Sequence, residues 1–436
     1  MDKRNVFVKS TLILICSGFL TKMLGFIIKI IYTRIIGEYG ISLYSIALPT
    51  YSLLLTIATL AIPISISKLV SENKGRSIRI LTSAAFLILV INFILILIIL
   101  LTHQFISNVL LKEPMASPIL IAFALTLPFV SISSVLKGYF AGKQNMVPHA
   151  TSNIIEQIIR LLLIILILPI LMKKSVMSAV LGLILLTIIS EISSIIVFMF
   201  FLPKRIDFHT NIKPSKVITK NILDISIPTV GGRIIGNIGY FLEPIILTNI
   251  LLFSGYTNAY ILREYGVYNA YCLTLLTMPN FFIAAIATSL LPEISRFHHE
   301  HNHKMVKKRI KQALIFAFFL GSIFSFLIFT FRDQLLFAMY NTTSGSNYIK
   351  VLAPFFVLFY LEGVLTSSLQ ALGYAKKTMS ITFVGVLIKT GAIFLLSLCH
   401  IGIYSLVIAE IINIIIVVFL YYKTLVDILK KQRKIT

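Results

Sequence analysis

Of the chain's 436 residues, 58% are hydrophobic and only 13% charged, with a mean hydropathy of +0.95, which excludes a water-soluble globular protein and places the chain in a lipid bilayer. The formal net charge of +23 reads as membrane topology and attraction to anionic lipid rather than as a nucleic-acid surface. Cys16, Cys272 and Cys399 sit in apolar segments without CxxC spacing, so neither a disulfide framework nor a metal site is implied.

Apolar stretches of spanning length predict helices over 7–34, 41–67, 78–102, 116–138, 148–171, 175–202, 221–253, 265–291, 313–338, 348–371, 378–398 and 401–422, about twelve in all. The first stretch is too long for a signal-peptide core and lacks a small-residue cleavage site, so it reads as a retained helix. Lysine and arginine cluster in every second connection, as in Lys3, Arg4 and Lys9, then Lys68, Lys74, Arg76 and Arg79, then Lys137 and Lys143, and then Lys204, Arg205 and Lys213. The same alternation continues through Lys304, Lys307 and Lys308, then Lys376 and Lys377, then Lys430, Lys431, Arg433 and Lys434. The opposite side holds isolated bases such as Lys112, Lys173, Arg263 and Arg332, which predicts cytoplasmic basic loops and two cytoplasmic termini. The longest polar connections divide the chain into an N-terminal lobe over 1–202, a cytoplasmic linker over 203–220, a C-terminal lobe over 221–425 and a basic cytoplasmic tail over 426–436.

Charge inside the predicted spans carries the functional signal. In the first span Gly18, Lys22, Gly25 and Lys29 follow i, i+4, i+7, i+11 and share one face. A charge near the bilayer centre costs about 2.5–3.5 kcal/mol on insertion scales, so that face is expected to border a bundle interior or a water-filled cavity with an anionic guest. Structural ion pairs with neighbouring helices are the competing reading. Arg34 lies nearer the outer end, where snorkelling to the interface competes with a cavity role.

On the fifth span Ser152, Glu156 and Arg160 stand at i, i+4, i+8, so Glu156 and Arg160 are expected to pair along the helix, either as a local pair or as one that exchanges partners between two states. The seventh span is broken by Asp224, Pro228, Gly231, Gly232, Gly236 and Pro244, and Arg233, Gly236, Asn237 and Tyr240 make a polar face with Glu243 just beyond it. Such a helix is expected to bend and to line a cavity. Glu362, Lys389 and Glu410 are expected to pair with one another across the last three helices. His298, His299, His301 and His303 have a metal-tract composition but read as a solvated loop.

The two halves start on the same side, so a parallel repeat is possible, and LKGYFAGKQNM at 136–146 resembles LQALGYAKKTM at 369–379. Ten residues beyond those methionines stand Glu156 and Lys389, of opposite sign. No P-loop, HExxH, GxSxG or Rossmann fingerprint occurs and the outer loops are short, which weighs against an enzyme.

The strings FVKSTLILICSGFLTKMLGFIIKIIYTRIIGEYGISLY, SISSVLKGYFAGKQNMVPHATSNIIEQIIR and SIPTVGGRIIGNIGYFLEPIIL resemble the stage V sporulation protein B family of polysaccharide transporters, over about residues 6–423. That family belongs to the multidrug/oligosaccharidyl-lipid/polysaccharide (MOP) flippase superfamily, with the MurJ lipid II flippases and the MATE exporters. The resemblance implies an all-α integral membrane protein with two six-helix lobes around a central cavity that opens alternately to each side. It implies as cargo an undecaprenyl-pyrophosphate-linked glycan, tied in sporulation members to spore cortex peptidoglycan. Lys22 matches the first basic position of the flippases' opening motif and Arg34 a later one, while their second arginine position falls on Ile28 beside Lys29.

On this reading Lys22, Lys29, Arg160 and Arg233 bind pyrophosphate, Glu156 and Glu243 pair with them in the empty site, and Arg34 and Asn237 complete the cavity. Expected partners are the lipid-linked oligosaccharide, membrane lipids and cell-wall synthesis proteins, with a monomer, no nucleic acid and no cofactor beyond a coupling ion or potential. Rivals are a cation-coupled multidrug exporter of the same fold, a membrane glycosyltransferase and a non-transporting scaffold. The sequence ends after the twelfth predicted span, where many relatives continue for about two more helices.

Overall fold

The computed structural model describes residues 3–72, 77–202 and 214–433, with side chains over 17–72, 77–202 and 214–430. Lys74, Arg76, Lys204, Arg205, Lys213, Lys434 and most of the expected linker lie outside the described residues, as do the side chains of Lys3, Arg4, Lys9, Cys16, Lys431 and Arg433.

The first helix, α1 (Lys3–Thr59), runs through two predicted spans and breaks at Gly37, whose φ of 74° and ψ of 179° are helix-breaking. A positive φ of this size is open to glycine and strained for side chains with a Cβ. A straight helix of 57 residues would extend about 85 Å, nearly three times the hydrocarbon thickness of a bilayer, so the break turns one helix into two passes with almost no loop. After a second break at Leu60 and Ala61, both left-handed at φ 43° and 50°, α2 (Ile62–Glu72) continues the second pass.

The next spans are α3 (Ser77–Phe105) with a π-helical extension over Ile106–Leu110, α4 (Ala116–Gly142), α5 (Val147–Lys174), α6 (Val176–Phe201) and α7 (Lys216–Phe253). Ser175 alone joins α5 to α6, and its side chain accepts a hydrogen bond from the Ser178 amide at 3.0 Å as an N-cap. The eighth span is composite: α8 (Asn258–Gly266), a π-helical turn over Val267–Cys272, α9 (Leu273–Thr277) and α10 (Asn280–His299), bent by 53°. Pro279 stands at that bend, and the buried Tyr360 hydroxyl donates to the Leu276 carbonyl there at 2.6 Å. The chain ends with α11 (His303–Thr330), the short α12 (Arg332–Tyr340), α13 (Ser346–Ala371), α14 (Ala375–Ser397) and α15 (Tyr404–Arg433).

Among the described residues ten stretches are long and apolar enough to cross a membrane, or eleven with the bent pair as one span, and the first of them is the 56-residue Ser17–Glu72 that Gly37 divides. Counting that stretch as two passes gives the expected twelve.

The chain divides into two compact units, Met1–Asn237 and Ile238–Thr436. The division falls within α7 rather than in the connection before it, because Ile222 at the start of α7 packs into a core with Ile62 and Ile66 of α2, Ile80 of α3, Phe140 of α4 and Phe198 of α6. In that core α4 meets α2 through glycines one turn apart. A Cβ on Gly138 would stand 2.6 Å from the Pro63 backbone, and one on Gly142 2.7 Å from the Ser67 carbonyl oxygen. The lipid side shows the reverse pattern. Along α3, Ile80, Ala84, Ile88, Leu95 and Ile99 are buried, while Phe86, Phe93, Leu97 and Leu101 are exposed.

Candidate functional site

Each unit contains one cluster of buried charge. In the first unit a cavity of about 350 Å³ is bounded by both arms of α1 and by α4, α5 and α6. Gly25 and Lys29 line it from the arm before Gly37, and Tyr44 and Tyr51 from the arm after it. The Tyr51 ring stacks on Phe123 of α4, with centroids 4.3 Å apart and planes 15° apart.

Arg160 of α5 enters the same cavity and is held from three directions. Its Nη2 lies 2.9 Å from Glu156 Oε1 one turn earlier and 3.7 Å from Glu191 Oε1 of α6, and its Nε donates to Ser190 Oγ at 3.1 Å. Glu156 also accepts from Gln157 Nε2 at 3.2 Å and meets Lys137 Nζ of α4 at 3.4 Å. Both carboxylates are buried at 5% exposure, where an unpaired charge would be costly, so the cations are structural as well as available. Lys29 has no carboxylate within ion-pair distance among the described residues. Among the charged side chains that line this cavity, two cations, Lys29 and Arg160, therefore face one carboxylate, Glu191.

The second unit carries the opposite balance. Lys389 Nζ on α14 lies 2.6 Å from Glu243 Oε2 on α7 and 2.6 Å from Glu410 Oε2 on α15, and the Tyr265 hydroxyl donates to Glu243 Oε1 at 3.3 Å. One ammonium is shared by two buried carboxylates. Glu243 thus pairs with Lys389 rather than with the cations expected of it, and Lys389 pairs with Glu410 as expected, while Glu362 has no ion pair to either among the described residues.

The other expected site residues fall elsewhere. Lys22 and Arg34 are exposed on α1 and do not line the cavity. Arg233 is exposed on α7, and Asn237 one turn on donates to Thr56 Oγ1 at 2.8 Å and to the Arg233 carbonyl at 3.1 Å. Glu191, Lys137, Tyr44 and Tyr51 are additions that spacing alone does not single out. Glu191, a lone carboxylate in the apolar α6, carries the same intramembrane signal as Glu156. Among the described residues no group of three or more His, Cys, Asp or Glu side chains is placed to hold a metal ion, the histidine tract included.

The family described as Polysaccharide biosynthesis protein matches residues 7–298, and the MatE family matches residues 267–395. Stage V sporulation protein B of Bacillus subtilis (strain 168) is 34% identical, covering 99% of this chain and 86% of that protein. The lipid II flippase MurJ of the same organism is 22% identical, covering 87% of this chain and 75% of that protein. In fold the chain resembles the inward-facing conformation of a multidrug resistance MATE family transporter of the MOP superfamily, with a TM-score of 0.78 at 15% identity over 94% of this chain and 95% of that one. A multi-pass helical chain with the fold of MATE transporters, matched over nearly its whole length by stage V sporulation protein B, belongs to the polysaccharide biosynthesis protein family.

Proposed function

We propose that this transporter flips a polyprenyl-pyrophosphate-linked glycan, a lipid II-like peptidoglycan precursor, from the cytoplasmic to the outer leaflet by alternating access of two lobes. It is a carrier rather than an enzyme. The observation that carries the reading is the cationic surplus at the first unit's cavity, with Lys29 free of a carboxylate among the described residues. In a low-dielectric wall that surplus attracts a dianionic pyrophosphate far more strongly than it would in water. An arriving pyrophosphate competes with Glu156 and Glu191 for Arg160, which gives the loaded and empty cavities different ion pairs and so a basis for two states. A cavity of about 350 Å³ suits a headgroup fragment, not a whole lipid-linked glycan. The names of two relatives, a sporulation protein and a lipid II flippase, support the same cargo class.

The test is transfer of fluorescent lipid II between leaflets of vesicles containing the purified protein. Lys29→Ala and Arg160→Ala should each slow transfer by about tenfold or more, the loss of one charge-assisted contact. Transfer by the wild type that both variants retain would remove the cavity from the mechanism. If lipid II does not move under an imposed potential or ion gradient, the cargo is a different lipid-linked glycan or the protein is a cation-coupled drug exporter. That alternative draws on the carboxylate surplus around Lys389 and is read by efflux of ethidium from the same vesicles.

A further inference from the structure

A second cavity in the first unit, of about 440 Å³, lies where α2, α4 and α5 converge, near the connection 143–146. It shares no lining residue with the central one. Its polar wall consists of Ser67, Lys68 and Ser71 from α2, Lys137 from α4 and His149 from the first turn of α5, with no carboxylate among the lining residues. We infer that this cavity is a phosphate-binding subsite, which takes the phosphate of a lipid headgroup or the pyrophosphate of the cargo before the central cavity does.

Three independent features support it. Lys68 and Lys137 bring two ammonium groups to one open cavity, which favours an oxyanion over any cation. His149 lines the same cavity and adds an imidazole, a hydrogen-bonding group of the kind a phosphate oxygen or phosphate hydroxyl meets, to the two ammonium groups. Lys137 is held only at 3.4 Å by Glu156, against 2.9 Å for Arg160, so its ammonium is the more easily drawn to a new anion. The wall is also stiff, because Gly138 of α4 abuts the Pro63 backbone of α2 on the same cavity rim.

The position gives the subsite a role. Lys137 connects to the central cavity through its ion pair with Glu156, which Arg160 also holds. An anion that takes Lys137 leaves Glu156 to Arg160 alone, so occupation of the outer cavity changes the charge balance of the inner one. The order of loading rests on the proposed transport reading. The phosphate chemistry of the cavity does not.

The experiment places a reporter on the wall, Ser67→Cys, in a full chain whose Cys16, Cys272 and Cys399 are replaced by serine, reconstituted in phosphatidylcholine vesicles. Labelling of Cys at this position by a soluble maleimide is followed with and without inorganic pyrophosphate, and separately with phosphatidylglycerol in the vesicle. Pyrophosphate at ten times its dissociation constant should slow labelling about tenfold by mass action. The protection should vanish on adding Lys68→Gln or His149→Gln and persist with Lys29→Ala, whose side chain lines only the central cavity. Protection by phosphatidylglycerol and not by pyrophosphate, with the same dependence on Lys68 and His149, keeps the phosphate site and assigns it to a lipid headgroup. Protection by neither ligand, or protection indifferent to Lys68→Gln and His149→Gln, overturns the inference. Loss of lipid II transfer with this protection intact would sink the transport reading alone.

Discussion

Arg160 and Lys389 answer opposite needs with one device, a cation shared by two buried carboxylates. Removing the cation leaves uncompensated negative charge where water is scarce. Arg160→Gln and Lys389→Gln are each expected to destabilise the protein by about 3–5 kcal/mol. Neutralising a partner as well, in Arg160→Gln with Glu191→Gln or in Lys389→Gln with Glu243→Gln, should restore much of that stability without restoring transport. Circular dichroism melts in detergent measure this; the chain has no Trp, so tryptophan emission offers no signal. Lys29→Ala should leave the melting temperature nearly unchanged while slowing transport, because Lys29 neutralises no carboxylate among the described residues. The residues legible in sequence were those whose charge stands out within an apolar run: Lys29, Glu156, Arg160, Glu243 and Lys389. Helical spacing puts Lys22 and Lys29 on one face but does not say how far along that face a neighbouring helix reaches, and Lys22 lies outside the cavity wall.

Among the elements, hydropathy located every pass, because a bilayer demands about twenty apolar residues from each helix whatever its tertiary contacts. It placed the break at Gly37 between two predicted spans but missed the one inside the second. Leu60 and Ala61 are left-handed residues with no glycine to advertise them, and only Pro63 hints that a new helix starts there. The contact of α4 with α2 depends on Gly138 and Gly142, and substituting Gly138→Val would force a branched side chain into the Pro63 backbone. A loss of about 1–3 kcal/mol is expected from such overpacking, read as a lowered melting temperature. Gly18→Val meets no neighbour within 4 Å and serves as the control expected to leave the melt within about 0.5 kcal/mol.

For the whole molecule, topology is the property that alternating basic loops predict and that chemical labelling decides. Cysteines at Lys112 or Lys174 should react with a membrane-impermeant reagent added to intact cells, and cysteines at Lys143 or Lys376 only after permeabilisation. The inverted charges also acquire a pattern at this scale. Glu156 and Lys389, each ten residues beyond the methionine of its short string, each sit between two groups of the opposite sign. Gly25 to Lys29 and Gly239 to Glu243 repeat the inversion at equal spacing, with Lys29 in the anion-favouring cluster and Glu243 in the cation-favouring one. Short sequence strings suggested the repeat, and the Lys389–Glu410 pair was expected from the sequence, but the partners at Lys137 and Glu191 come from other helices and follow only from the packing.

Gly37 finally sets how the first cavity can change size. Lys29 stands on the arm before it and Tyr44 and Tyr51 on the arm after it, so two walls of one chamber are the blades of tweezers joined at one residue. Nothing lies within 4 Å of a Cβ built there, so a change in the backbone torsions of that residue meets no local clash as the blades part. A few degrees at the pivot become ångströms at Tyr51, a lever whose fulcrum is not among the residues that line the chamber.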